Sequence, residues 1–378
     1  MFRMIATVMT LFFLAGLIPE TAFCSKGSPR VIWQVPRLGQ PSAEPQLGPN
    51  GLFYLASGTK LVVLDDAGKK LLEAAGPGGG KGGRPVFDAF GSIFLPGRAM
   101  VQEVKLNGSS GWNFSVYQDN GSSPVQLTSG PGRFLYLPLP SALYAVDTLG
   151  HYKWVLLQWD TDDAYRTQAV AGREILACAG NDKAVFVVYG KRNEGYFLVA
   201  VGGEGKILWR YWLGDIKEAN LVPGTDGRLY LTVNPAKIDR YSKGTVNAFD
   251  VNRGSLLWRY PVSYNDLTAP TLSEDGLLYF CAGEKLFAIN LSDGSEAWSV
   301  SLYKAKYRPA VAEAGRRIYL GTDDNRLLAV NRQGRLDWEL ELDGKAFRQP
   351  VVGPGGYIYV ITDNGTLYKI KDEVIDSQ

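Results

Sequence analysis

The sequence predicts an all-β fold: an eight-bladed β-propeller of four-stranded blades, closed by an N-terminal strand that completes the last blade. Three observations predict it. A unit with one grammar recurs eight times at a spacing of 39 to 52 residues. Each unit holds four strand-length apolar runs separated by turn residues. The last unit lacks a fourth run, and the start of the chain supplies one. Composition agrees, since 46% hydrophobic residues, 12% aromatics and 44 glycines in 378 residues fit many short strands joined by tight turns.

Residues 276–298 (GLLYFCAGEKLFAINLSDGSEAW) and 315–338 (GRRIYLGTDDNRLLAVNRQGRLDW) show the grammar most plainly. A glycine precedes an apolar-aromatic strand, a turn, a second strand ending in Ala-x-Asn/Asp, a glycine turn and a tryptophan. Residues 227–258 and 132–154 repeat it. Proline stands six residues before glycine at Pro45/Gly51, Pro85/Gly91, Pro124/Gly130, Pro270/Gly276, Pro309/Gly315 and Pro350/Gly356. Leu221/Gly227 keeps the glycine and Leu176/Asp182 keeps only the position, which completes eight units. Tryptophan comes late in the units, at Trp112, Trp154, Trp209, Trp258, Trp298 and Trp338, with Leu72 replacing it once. The gap after Trp154 is longer than the others and marks an insertion near Trp159–Gln168.

Within the unit from Pro309 the strand-length runs are 309–313, 317–322, 326–331 and 336–342. Proline opens the innermost run, where a missing N–H costs least. Four strands per unit of this length are the composition of a propeller blade. A β-sandwich has no reason to repeat at this period, and a helical solenoid needs a 3.6-residue periodicity that the sequence lacks. The last unit ends at Tyr368-Lys369-Ile370, and Val31-Ile32-Trp33-Gln34-Val35 supplies the missing strand, with Trp33 twelve residues before Pro45 as in a blade's final strand. Joining the two ends removes exposed strand edges.

The N-terminus reads as an export signal. Arg3 precedes the apolar run Ile5–Ile18, and Pro19-Glu20 breaks it before a stretch of small residues. That run is too short to span a bilayer and fits a secretory signal peptide. The predicted organisation is a signal peptide at 1–24, a lead-in at 25–30, the propeller at 31–371 and a tail at 372–378. Cleavage after Cys24 competes with lipidation of Cys24, against which the bulky Phe23 counts. The predicted location is extracytoplasmic: periplasmic, cell-envelope-associated or secreted. The net charge of +2 gives no reason to expect a nucleic-acid partner. Cys178 and Cys281 sit in apolar strand contexts and read as buried free thiols. Three cysteines and one histidine give no zinc or iron–sulfur spacing.

Ala288-x-Asn290-x3-Gly294-x3-Trp298 and Ala248-x-Asp250-x3-Gly254-x3-Trp258 resemble the tryptophan-docking repeat of the pyrroloquinoline-quinone-type propellers. Ala329 to Trp338 and Ala145 to Trp154 are one residue shorter. The resemblance covers residues 31–371. It implies that Trp33, Trp112, Trp154, Trp209, Trp258, Trp298 and Trp338 dock between blades as structural residues. One branch of that family holds quinone- and calcium-dependent dehydrogenases of alcohols or sugars. Another holds non-catalytic members, among them the lipoprotein subunit of the outer-membrane β-barrel assembly machinery. The alcohol-oxidising members carry an adjacent cysteine pair, which is absent here, and longer chains that roof the cofactor. The resemblance therefore implies no cofactor, no metal and no enzyme activity, with a small quinone-dependent dehydrogenase as the alternative.

Other motifs reduce to structure. Gly76–Gly83 lacks the spacing of a phosphate-binding loop, with Ala75 and Gly82 where glycine and serine or threonine belong. His151 reads as a surface turn residue. Asp160-Thr161-Asp162-Asp163 lacks the glycine and distal glutamate of a calcium loop. The connections that lead into the innermost strands share one face and gather basic and aromatic residues. Lys304, Tyr307, Arg308, Phe347, Arg348, Tyr264 and Tyr165 form the predicted binding face, beside Lys217, Lys345 and Trp159. These residue types are enriched at interface hot spots. The competing reading is an ordinary solvated rim. The sequence thus predicts a monomeric scaffold that binds another protein or an envelope polymer.

Overall fold

The computed structural model describes residues 29–77, 82–88, 90–116, 126–139, 142–157, 173–237, 243–302, 310–311, 317–346 and 348–372. They form eight four-stranded antiparallel sheets arranged as the blades of a propeller. Blade 1 spans residues 46–75, blade 2 86–115, blade 3 128–156, blade 4 174–214, blade 5 216–262, blade 6 271–301 and blade 7 310–341. Blade 8 takes Val351–Val352, Tyr357–Ile361 and Leu367–Asp372 from one end of the chain and Pro29–Val35 from the other. Pairing runs from Pro29 opposite Asp372 to Val35 opposite Leu367, so the N-terminal strand closes the ring as predicted.

The second and third strands of each blade are buried on both faces, which explains their continuous apolar runs, such as Phe53–Ser57 and Leu135–Leu139. The outermost strands alternate instead, as in Glu296–Ser301. Six innermost strands are only two residues long, and the described prolines Pro45, Pro85, Pro270 and Pro350 lie just before theirs rather than within them. Blades 4 and 5 differ. Their innermost strands, Glu174–Gly180 and Ile216–Pro223, contain Leu176 and Leu221 at the positions where other units carry proline. Leucine keeps the N–H that proline lacks, so the ladder continues.

Except for Trp338, each docking tryptophan lies on the glycine turn between the third and outermost strands of the next blade. Trp112 lies on Gly150, Trp154 on Gly205, Trp209 on Gly254, Trp258 on Gly294 and Trp298 on Gly334, while Leu72 covers Gly108. At Gly254, φ is +67° and an added Cβ would come within 2.4 Å of the Trp209 ring, so both the backbone and the close approach require glycine. The indole N–H donates to a turn carbonyl: Trp154 to Gly203 at 2.7 Å, Trp209 to Val251 at 2.7 Å, Trp258 to Leu291 at 3.0 Å. Alanine sits opposite the tryptophan across the ladder, as in Ala248 with Trp258 and Ala288 with Trp298. A ring from the same blade's second strand completes each site, for example Tyr230 with Trp258 at 5.9 Å and Tyr279 with Trp298 at 5.8 Å.

The closing blade needs a substitute for that turn, because its outermost strand arrives from the other end of the chain. Asp372 supplies it. Its carboxylate accepts from Trp338 Nε1 at 3.1 Å and Tyr319 Oη at 2.6 Å, and it pairs with Arg317, which also pairs with Asp337 at 2.6 Å. On the other side of blade 8, the buried Lys369 donates to the Asp66 carboxylate of blade 1 at 2.6 Å and lies 4.2 Å from the Tyr357 ring centre. That ammonium holds the Asp66 carboxyl below its usual range. Trp33 also donates to the Asp66 carbonyl at 3.0 Å. Ion pairs thus bolt both flanks of the closing blade.

Candidate functional site

Antiparallel alternation sends all the blade-to-blade connections to one face. Around the axis the innermost strands enclose a cavity of about 800 Å³ whose charged lining residues are Glu44, Arg84 and Arg348. Gln126 closes the wall between blades 3 and 4: its side-chain carbonyl accepts from Cys178 N at 3.0 Å and its amide donates to Leu176 O at 3.4 Å. Cys178 and Cys281 are free, as predicted. Burial pushes the Cys281 thiol up to about 12 and the Cys178 thiol well above its usual range, so neither is a ready nucleophile.

The described connections are held by polar contacts, buried at Asn234 and more open elsewhere. Asn234 accepts from Leu267 N at 2.8 Å and donates to Leu267 O at 3.0 Å, and Asp266 accepts from Gly283 N at 2.8 Å. Between blades 7 and 8, Asp343 accepts from Thr362 Oγ1 at 2.9 Å and Asp363 accepts from Lys345 N at 2.8 Å. The face is also uneven. Blade 5's second strand runs Arg228–Pro235 and blade 4's Val185–Lys191, against five or six residues in the other blades. The extra two residues raise this sector by about 7 Å.

Of the predicted face, Lys304, Tyr307, Arg308, Phe347 and Tyr165 lie outside the described residues, as do the Trp159–Gln168 insertion and Asp160–Asp163. Arg348 is half-buried at the channel, donating to Pro41 O at 3.3 Å and Ser42 O at 3.4 Å, so it joins the start of blade 8 to that of blade 1. Tyr264 is half-buried against Phe287 at 6.2 Å. Lys217 and Lys345 are exposed. His151 is exposed in its turn, with Nδ1 3.2 Å from Asp147. Sequence reading missed Trp212. It is half-exposed on the raised sector and edge-on to Phe197 at 4.7 Å. Its signal was present: apart from Trp159, it is the one tryptophan that the docking positions do not use.

Cys178 and Cys281 belong to blades 4 and 6 and cannot form an adjacent disulfide. Among the described residues no group of three or more His, Cys, Asp or Glu side chains could hold a metal ion.

Residues 193–373 match a family model described as outer membrane protein assembly factor BamB. That segment fits a pyrroloquinoline-quinone-type propeller repeat. The propeller is similar to the crystal structure of BamB from Moraxella catarrhalis, with TM-score 0.64 at 14% identity, over 91% of this chain and 100% of that one. It is also similar to the Dos1 propeller, with TM-score 0.67 at 11% identity over 91% and 95% of the two chains. A computationally designed protein, Ika8, matches with TM-score 0.65 at 14% identity over 89% and 97%. At these identities the likeness shows a shared fold. Comparison with curated proteins finds no match. Among the described residues no helix is long and apolar enough to cross a membrane.

Proposed function

We propose that this quinoprotein-type propeller is a non-catalytic scaffold of the cell envelope that holds another protein, or an envelope polymer, on its connection face. The observation that carries the reading is that the described connections are tied by polar contacts on an uneven face, with Trp212 half-exposed on its raised sector. Connections tied by Asn234, Asp266 and Asp343 lose little ordering entropy when a partner docks. A half-exposed tryptophan offers apolar area of the kind that anchors interfaces. The match to a family named for outer-membrane protein assembly supports a protein partner, and the run Ile5–Ile18 supports export.

The test is capture of partners from cell envelopes by the full chain. Two variants are compared with it: Trp212→Ala, and Tyr307→Ala combined with Arg308→Ala and Phe347→Ala. Loss of a true anchor costs roughly 2 kcal/mol, about thirtyfold in affinity. Retention by both variants, with melting curves unchanged, would overturn the assignment of this face. Oxidation of alcohols or sugars after addition of quinone and calcium is expected to stay at the cofactor-only level; clear turnover above it would establish the dehydrogenase reading instead.

A further inference from the structure

The face opposite the connections carries the turns between first and second strands and between third and outermost strands. At the tip before each docking glycine stand Ala67, Asn107, Leu149, Glu204, Arg253, Asp293 and Gln333. Blades 2 and 3 break the polar pattern. Phe90 is 87% exposed, Leu149 68% and Leu106 64%, all on this one face. Their turns are rigid: Asp88 accepts from Phe90 N at 2.9 Å and Ser92 N at 2.8 Å, and Asp147 accepts from Leu149 N at 3.0 Å and His151 N at 2.8 Å. The carboxylates of this sector are engaged within the protein, Asp66 with Lys369 and Asp147 with Lys153. Lys69, Lys105 and Arg133 are exposed beside the apolar tips, with no acidic partner among the described residues. On blades 4 to 6 the same face carries exposed charges of both signs, Glu204 paired with Lys206 and Glu274 and Asp293 beside Lys183 and Arg253.

We propose that the turn face of blades 1 to 3 rests on an anionic lipid surface, with Phe90, Leu106 and Leu149 entering the headgroup region. Exposed apolar side chains beside unpaired cations have the chemistry of interfacial membrane contacts, and each basic group near such a surface multiplies partitioning about fivefold. The path of the chain selects lipid over a protein partner. Pro29 begins the outermost strand of blade 8 opposite Asp372, on this same face and next to blade 1. The segment before it holds the apolar run Ile5–Ile18 and Cys24. From Cys24 to Pro29 the chain spans at most about 18 Å. A lipid on Cys24, the alternative to cleavage after it, would hold this face, and not the connection face, towards the bilayer.

The test reconstitutes the full chain in vesicles of phosphatidylethanolamine with phosphatidylglycerol, and in all-phosphatidylcholine vesicles. A photoreactive residue replaces Asn107 on the turn face or Lys237 at the connection-face end of blade 5. Lipid adducts are expected from position 107 and not from 237. Phe90→Ser with Leu106→Ser and Leu149→Ser should cut their yield at least tenfold with the melting curve unchanged. Lys69→Glu with Lys105→Glu should cut it roughly twentyfold on the anionic vesicles only. Equal adducts from both positions, an unaltered yield in the apolar variant, or adducts to protein rather than lipid at 107 would overturn the proposal. None of these results bears on partner capture by the connection face, so the two readings fail separately.

Discussion

Asp372→Asn keeps the shape of a side chain at the ring's seam and removes its charge. The Asp372 side chain is 2% exposed and the Arg317 side chain 7%. Breaking a buried pair typically costs about 3–5 kcal/mol because the remaining charge is left uncompensated. Arg317 keeps Asp337 at 2.6 Å, and that partner is 20% exposed. The asparagine carbonyl still accepts one of the bonds from Tyr319 or Trp338. The expected loss therefore lies near the lower bound, about 3 kcal/mol. Unfolding entropy of about 2.1 cal/mol/K per residue over roughly 340 residues gives about 0.7 kcal/mol/K, so Tm should fall by about 4 °C. Differential scanning calorimetry reads this directly. Adding Arg317→Met should recover about 1 kcal/mol, because it removes a buried charge left with one partner of two, while Asp337 stays partly exposed and keeps the bond from Asn331 Nδ2. A Tm change under about 1 °C, or no recovery in the double variant, would refute the claim that this cluster replaces the missing turn.

Three further outcomes follow from the same packing. Trp298→Phe should cost about 1 kcal/mol less than Trp209→Phe in chemical denaturation, because Trp298 Nε1 is buried without an acceptor while Trp209 donates to Val251. Gly254→Ala should lose about 3 kcal/mol from left-handed backbone strain and the contact with Trp209. Burial tends to raise the Asp147 carboxyl, but the Lys153 ammonium and the N–H groups of His151 and Leu149 overcome it and hold it at about 2, below its ordinary 3.8. Its contribution is thus complete above pH 3.8 and lost as pH falls through about 2, so Asp147→Asn should flatten the stability profile across that window in acid unfolding.

The repeat, the blade count and the closing strand were legible because local chemistry carries them. A glycine with positive φ, a facing alanine and a tryptophan recur at the junctions that follow blades 3 to 6, so the pattern survives in one dimension. The long innermost strands of blades 4 and 5 were equally visible, as leucine at two proline positions. Asp372 was not. It has no counterpart in the repeat, since its task exists only where a turn is missing. The second-strand rings, such as Tyr230, Tyr279 and Tyr359, recur three residues after the marker glycine, yet their pairing with tryptophan emerges only once the strands are in register. The channel wall was illegible for a related reason: several blades contribute to it and no segment contains it. Arg348 shows the limit most clearly, because a basic residue in a connection reads as a contact for a partner until its bonds to Pro41 and Ser42 are seen.

The most direct test of the scaffold reading is photocrosslinking in intact cells from Lys217 and Lys345 on the connection face, beside Asn252 on a turn of blade 5. Discrete protein adducts from the first two positions and none from the third are the predicted result. Adducts confined to Asn252, or none from the connection face at any expression level, would contradict the claim that this face is where the partner sits.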